Sequence, residues 1–280
     1  MKARPVGELL RGWRERRRLS QLQLSIEAEI SARHLSFVET GRSTPSREMI
    51  LRLAETLDIP LRERNHLLVA GGFAPAYGET TLDSPVMEPV RAAVRQILTA
   101  HEPYPAVVVD GHWNMLDANA SATLLTEGVS AKLMVAPVNV LRVSLHPQGL
   151  APRILNLAEW RAHQLGRLHR QVSATGDPYL ATLYQELNAY PGGRDDVYEE
   201  PTHANEVVMS LRIHHHDREL AFLTTVATFG TPLDITVSEL AIESFFPANE
   251  STAEYLGTRT AGLSTVGSPA GSADAVGRAV

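Results

Sequence analysis

The sequence predicts two domains, a bundle of five short helices followed by an α+β domain with a mainly antiparallel sheet. Three observations carry this. Apolar residues recur at helical spacing through the first seventy residues, then give way after residue 105 to short strand-like runs. A stretch rich in glycine and proline, Gly71 to Pro89, separates the two patterns. Charge divides at the same place: residues 1–70 hold 13 Lys+Arg against 9 Asp+Glu, and residues 71–280 hold 13 against 23. A basic module is thus fused to an acidic one, although the whole chain of 280 residues carries a net charge of −6. The expected division is residues 1–72 for the helical domain, 73–99 for a linker and connecting helix, 100–255 for the second domain and 256–280 for a disordered tail. That tail is mostly Gly, Ser, Thr and Ala, too poor in large apolar residues to offset ordering entropy.

In the first domain, Val6, Leu9, Leu10 and Trp13 form one apolar stripe and leave Arg11, Arg14, Arg16, Arg17 and Arg18 outside it, where a phosphate backbone is a natural partner. Ser20 with Gln23 is a capping box opening a helix from Gln21 to Ala28. A third helix follows Ser31 and stops at Thr40-Gly41, and Thr44-Pro45 opens a fourth whose stripe is Ile50, Leu53, Ala54 and Leu57. Leu61 to Ala70 makes a fifth, ended by Gly71-Gly72. The close spacing of the second and third helices is that of a helix-turn-helix.

Helical spacing divides the third helix into two faces. Leu35 and Val38 point inward, while Ala32, Arg33, Ser36 and Phe37 share the outward side. A guanidinium there can fork onto guanine O6 and N7, and Ala32 and Phe37 can touch a thymine methyl. Ser31 and Gln21 stand at the helix starts, and Arg42 and Arg47 flank the groove toward phosphates. A generic bundle with a solvated arginine face is the competing account of the same pattern.

The run from Ser20 to Pro60, SQLQLSIEAEISARHLSFVETGRSTPSREMILRLAETLDIP, resembles the Cro/repressor-type helix-turn-helix, or XRE family. The resemblance implies binding of double-stranded operator DNA, and an ion pair between Arg14 and Glu39 that braces the module. The sequence departs from the family at Glu29, where a turn glycine is usual, and at Phe37, where the groove residue is often polar.

In the second domain, Ala106–Val109 reads as a strand, Asp110-Gly111-His112-Trp113 as a turn and Met115-Leu116 as a second strand. Helices are expected over Asn119–Leu125, Leu155–Val172 and from Asp177-Pro178 to Leu187. Val207–Ile213 and Leu220–Thr228 form a hairpin around His214-His215-His216. Thr236 and Glu239 then read as a capping box for a last helix, Val237 to Phe246, closed by Pro247. This order resembles a PAS-like sensor domain. The segments RILNLAEWRAHQLGRLHRQ, FGTPLDITVSELAIESFFPA and LRERNHLLVAGGFAPAY are similar to the MmyB-like transcription regulator family over residues 6 to 255. That resemblance implies a one-component regulator with a pocket for fatty-acid-like ligands. A sheet of this kind encloses an apolar cavity. Trp113, Trp160, Phe222 and Phe229 are candidate walls for it, or plain core, and Asn119, Arg161 and His163 are candidate partners of a polar head, with Arg161 a possible carboxylate fork.

Other functions find less support. No cysteine is present, so thiolate metal sites, iron–sulfur clusters and a cysteine nucleophile are excluded. No H-E-x-x-H, G-x-S-x-G, P-loop or G-x-G-x-x-G occurs, and His163 and His169 do not share a helix face, so neither enzyme, cofactor nor metal site is expected. The three successive histidines read as a solvated turn. No apolar run approaches the ~20 residues of a membrane span and no leader is evident, so the expected protein is cytoplasmic, away from membranes. A homodimer is expected, because one helix-turn-helix reads few base pairs. The rival is a ligand-independent DNA-binding protein whose second domain serves dimerisation or docking.

Overall fold

The computed structural model describes residues 4–192 and 208–265. Five helices, α1 (Val6–Arg16), α2 (Gln21–Glu27), α3 (Ala32–Glu39), α4 (Arg47–Thr56) and α5 (Leu61–Ala70), pack around Leu10, Trp13, Leu24, Leu35, Val38, Ile50, Leu53 and Leu67. Oxygen-bearing side chains open three of them. Ser20 accepts from the Gln23 amide while Gln23 reaches back, closing the capping box. Ser31 caps α3 through the His34 amide. Ser46, not Thr44-Pro45, caps α4: its hydroxyl takes the Met49 amide, and Pro45 lies buried just ahead of the helix.

All five helices end in the same way. The residue past the cap turns left-handed, at Arg18 (φ 57°), Glu29 (53°), Gly41 (72°), Asp58 (47°) and Gly72 (83°). In each, two amides fold back onto carbonyls of the last turn, as Glu29 N on Ile26 O and Ile30 N on Ser25 O. This paired bond satisfies otherwise orphaned carbonyls. Glycine suits the position, but at three ends the next residue is an aliphatic, Leu19, Ile30 or Ile59, that packs into the core. That burial holds the turn where glycine is absent, which is how Glu29 is tolerated. Gly7 is required for a different reason: a Cβ there would lie 2.1 Å from the Val38 carbonyl oxygen, so α1 and α3 touch backbone to backbone.

The second domain contains α6 (Glu88–Ala100), β1 (Ala106–Val109), β2 (Met115–Ala118), α7 (Thr123–Thr126), α8 (Val140–Leu145), α9 (Leu157–Thr175), α10 (Pro178–Asn188), β3 (Ser210–His215), β4 (Arg218–Thr228), α11 (Ile235–Ser238), β5 (Ala241–Pro247) and α12 (Glu250–Thr265). The sheet has order β2-β1-β5-β4-β3, antiparallel throughout. Side chains alternate across it. Val107, Val109, Leu211, Ile213, Leu220, Phe222 and Phe245 join the main core with α8, α9 and α10. Ala106, Val108 and Ile242 face the other way, against Val94 and Leu98 of α6.

Two expectations change. The segment 237–246 is not a helix: Asp234, not Thr236, caps the single turn α11, and the rest is the strand β5. The alternation of Ile242, Glu243, Ser244 and Phe245 between strand faces is what the capping-box reading passed over. The tail expected from residue 256 begins instead as α12, with Leu256 in the core and Thr252 Oγ1 accepting from the Ala221 amide, and residues 266–280 lie outside the described part. The predicted start of the hairpin at Val207 also lies outside it.

Candidate functional site

On the recognition helix α3, Leu35 and Val38 are fully buried and Arg33 is exposed, its guanidinium carbon 5.4 Å from the Phe37 ring centre. Ala32, Ser36 and Phe37 are half-buried beside it, and Ser31, Arg42 and Arg47 are exposed. The Ser31 hydroxyl is engaged with the His34 amide. Behind this face, Arg14 forks onto Glu39, with Nε to Oε1 at 2.7 Å and Nη2 to Oε2 at 2.9 Å, and gives Nη1 to the Leu19 carbonyl. Gln21 Nε2 donates to the same Glu39 oxygen at 2.8 Å, so its amide is anchored inside the module. Glu39 is 5% exposed and draws bonds from α1 and α2 onto α3, which fixes the recognition helix relative to both. The arginine cluster on α1 is largely spent at home. Arg11 pairs with Glu15, and Arg17 donates to the carbonyls of Leu57 and Asp58 at the end of α4. Both Arg16 and Arg17 lie over the Trp13 ring.

In the second domain a cavity of about 280 Å³ lies between the inner face of the sheet and α7, α8 and α9. Its walls are mostly apolar and include Val107, Met115, Leu125, Leu141, Leu211 and Phe245. Two of the expected residues line it, Trp160 and Asn119. Asn119 is a fold residue there. Its Oδ1 accepts from the amides of Ala106 and Ala122, and its Nδ2 donates to the carbonyls of Leu98 and Tyr104.

The remaining expected residues lie elsewhere. Trp113 sits on the β1–β2 turn at φ 67°, donates Nε1 to Gln171 and carries the Arg167 guanidinium on its ring. Phe222 is buried edge-to-face behind Phe245. Phe229 packs toward α6 on the opposite side of the sheet. Arg161, one position past Trp160 and so about 100° around the helix, donates to the Asn188 carbonyl, and burial lowers its pKa. His163 stacks on Trp160, its pKa pulled down by burial and by Arg167 and Arg170.

Of the polar cavity-lining residues that residue-type reasoning did not single out, Thr123, Thr126, Ser144, Gln164 and Glu243, the last two meet at Arg167. Gln164, four positions after Trp160 and hence on the same face of α9, is 3% exposed. Glu243, on the inner side of β5 between Val107 and Val226 in the flanking strands, is 5% exposed. Arg167 gives Nη1 to Glu243 Oε1 at 2.8 Å and, more distantly, to Gln164 Oε1. A helical count from Trp160 finds Gln164 and Arg167. Glu243 becomes visible only once 241–247 is read as a strand.

His214 and His216 are exposed, but strand alternation turns His215 inward, to 2% exposure. With Glu127 it and His216 present three ligand atoms within 4.8 Å of one another. Guanidinium nitrogens of Arg153 and Arg259 stand 3.2 and 3.3 Å from the two His215 ring nitrogens, and that positive charge opposes a cation between them.

The domains are joined by more than a tether. Arg62 of α5 forks onto Glu239, Nε to Oε1 at 2.8 Å and Nη2 to Oε2 at 2.9 Å, and also meets Glu79, so its pKa is raised. Asn65 fastens residues 76–77 of the connecting segment by three hydrogen bonds, and Thr80 donates twice to Asp234 at the start of α11.

Among the described residues, no helix is long and apolar enough to cross a membrane. A helix-turn-helix domain model matches residues 5–67, and the model of the MmyB-like transcription regulator ligand binding domain matches residues 90–258, more than half of the chain. No curated protein matches. Two solved structures are distantly similar. One, of an RsLOV variant, is 14% identical over 63% of this chain and 84% of its own, with a TM-score of 0.29. The other, of an RNA-binding light-oxygen-voltage receptor, is 13% identical over 93% of this chain and 64% of its own, with a TM-score of 0.22. Both likenesses are too slight to bear on fold or function. The two domain models, in this order on one chain, are those of a DNA-binding transcription regulator, and the chain belongs to the MmyB-like transcription regulator family.

Proposed function

We propose that this regulator is a cytoplasmic homodimer of the one-component kind, in which the cavity behind the sheet takes a small, largely apolar, fatty-acid-like effector and its occupancy alters operator binding. The observation that carries this is an apolar cavity of about 280 Å³ on the same chain as the recognition helix, at the lower edge of the range for small-molecule sites. Arg33, Ser36, Phe37 and Ala32 face the major groove in this reading, with Ser31 and Gln21 at the helix starts and Arg42 and Arg47 on phosphates. The effector acts by binding one arrangement of the dimer better than another, since equal affinity for both shifts nothing. The clasp of Arg62 on Glu239 lies four residues along the chain from Glu243, so the cavity wall and the domain contact share one stretch of backbone.

Native mass spectrometry of the purified full chain, beside its denatured spectrum, tests the reading. The expected result is a dimer carrying a passenger of a few hundred daltons that is released on denaturation, or that binds and shifts operator affinity when added back. A dimer that takes up no apolar molecule and binds operator unchanged would overturn the sensor and leave a constitutive DNA-binding protein.

A further inference from the structure

The polar groups on the cavity wall define which end of a ligand they accept. Besides Trp160, six of the described lining residues have polar side chains able to bond, and three of these are fully or largely used within the fold. Asn119 serves four backbone groups, and the hydroxyls of Thr123 and Thr126 donate to the carbonyls of Ala120 and Thr123. The other three retain capacity. Ser144 Oγ accepts from Trp160 Nε1 at 2.9 Å and keeps its proton to give. Gln164 has its oxygen on Arg167 and its amide nitrogen unpartnered among the described residues. Glu243 has Oε1 on Arg167 and Oε2 unpartnered among the described residues. Among the described residues, the lining holds no arginine, lysine or histidine.

We propose that the effector's polar end is a hydrogen-bond donor, a hydroxyl or an amino group, received by the Glu243 carboxylate and not by a cation. This rests on the apolar-effector part of the sensor reading above and departs from it at the head group, putting a donor where a fatty acid carries a carboxylate. An ionised carboxylate can only accept, and its buried lone pairs are best satisfied by O–H or N–H. An anionic head in the same cavity would meet Glu243 without a cation of its own, because the Arg167 guanidinium that reaches Glu243 is already shared between Glu243, Gln164 and the Trp113 face. A hydroxyl suits the site doubly, donating to Glu243 and accepting from Gln164, which share Arg167 Nη1. An amine uses Glu243 alone. The apolar remainder lies against Leu125, Leu141, Leu211 and Phe245. Arg161, one residue from the cavity-lining Trp160, lies outside the lining, with Nη2 on the Asn188 carbonyl and Nη1 buried without a partner among the described residues.

The test uses the full chain, stripped of passengers, and four probes with a common eight-carbon chain: n-octane, 1-octanol, octylamine and octanoate. Binding is followed by calorimetry at pH 7, where the amine is cationic and the acid anionic. Octanol and octylamine are expected to bind at least about ten-fold more tightly than octanoate, a difference of ~1.4 kcal/mol. Glu243→Gln should weaken octylamine about ten-fold while leaving octane unchanged. Gln164→Leu, which keeps the ion pair of Glu243 with Arg167, should weaken octanol and leave octylamine as it was. Octanoate binding as well as or better than the two donors overturns the proposal and leaves the apolar sensor intact. Failure of all four probes, octane included, overturns the sensor reading and the proposal with it. The head-group comparison is made on the natural chain, so it stands even if a variant does not fold.

Discussion

Replacing Arg33 by alanine removes a guanidinium that the fold leaves exposed and without an ion pair among the described residues. The expected loss is about 1–3 kcal/mol at the cognate operator and less on random DNA, read by titration at fixed salt. Equal losses on both would make Arg33 a phosphate contact. Three histidines give a second prediction at this scale. Burial holds His101, His163 and His215 below their ordinary value near 6.5, with His216 adding to the effect on His215. The folded state therefore takes up these protons later than the unfolded one. Stability is complete above the unfolded pKa and is lost as pH falls below about 6.5 toward the depressed folded values. The urea midpoint should drop between pH 7 and pH 5, and His215→Gln should flatten that dependence. An unchanged slope in the variant would assign the effect elsewhere. The outward face of α3 was legible because helical spacing alone separates the exposed Arg33 from the buried Leu35. The sequence hid the duty of Gln21, whose bond to Glu39 depends on how three helices meet.

Helices were legible where apolar spacing and caps agree, as in α2 with its Ser20–Gln23 box. They were misread where a short polar pattern imitates a cap. Thr236 and Glu239 have the spacing of a capping box, but Asp234 does the capping and Glu239 holds Arg62. The partner that decides this is 177 residues away and has no local signature. Strand β5 was lost with it, and with the strand went Glu243. Two substitutions probe the helices as units. Gly7→Ala drives a methyl into the Val38 carbonyl of α3 and should cost about 1–3 kcal/mol in urea unfolding. Glu29→Gly relieves a left-handed residue, which costs a side chain about 1–2 kcal/mol, but frees the unfolded chain by about 0.4–1 kcal/mol. A net gain of about 0–1.6 kcal/mol is expected. A loss would mean that the Glu29 side chain makes a contribution of its own.

At the scale of the molecule, the sequence marked residues 71–89 as a break, and composition alone made it a linker. The structure fastens that segment to both sides, through Asn65 to α5 and through Asp234 to α11. No spacing rule anticipates such bonds: Asn65 reaches positions 11 and 12 residues on, off any helical or strand period, and Thr80 reaches 154 residues on to Asp234. Arg62→Ala should loosen this seam. Amide exchange at residues 76–80 and 234–239 is expected to quicken about three- to ten-fold while α9 is unchanged, in keeping with the modest worth of a partly exposed ion pair. Equal protection in the variant would place the seam's strength in the Thr80–Asp234 bonds. The sheet itself has one more consequence. It is a partition a single strand thick, with the cavity on one side and α6 on the other, and adjacent residues of β5 belong to different rooms: Glu243 and Phe245 to the cavity, Ile242 to α6. A guest that tilts β5 would therefore press on α6 through Ile242, one residue from the cavity wall.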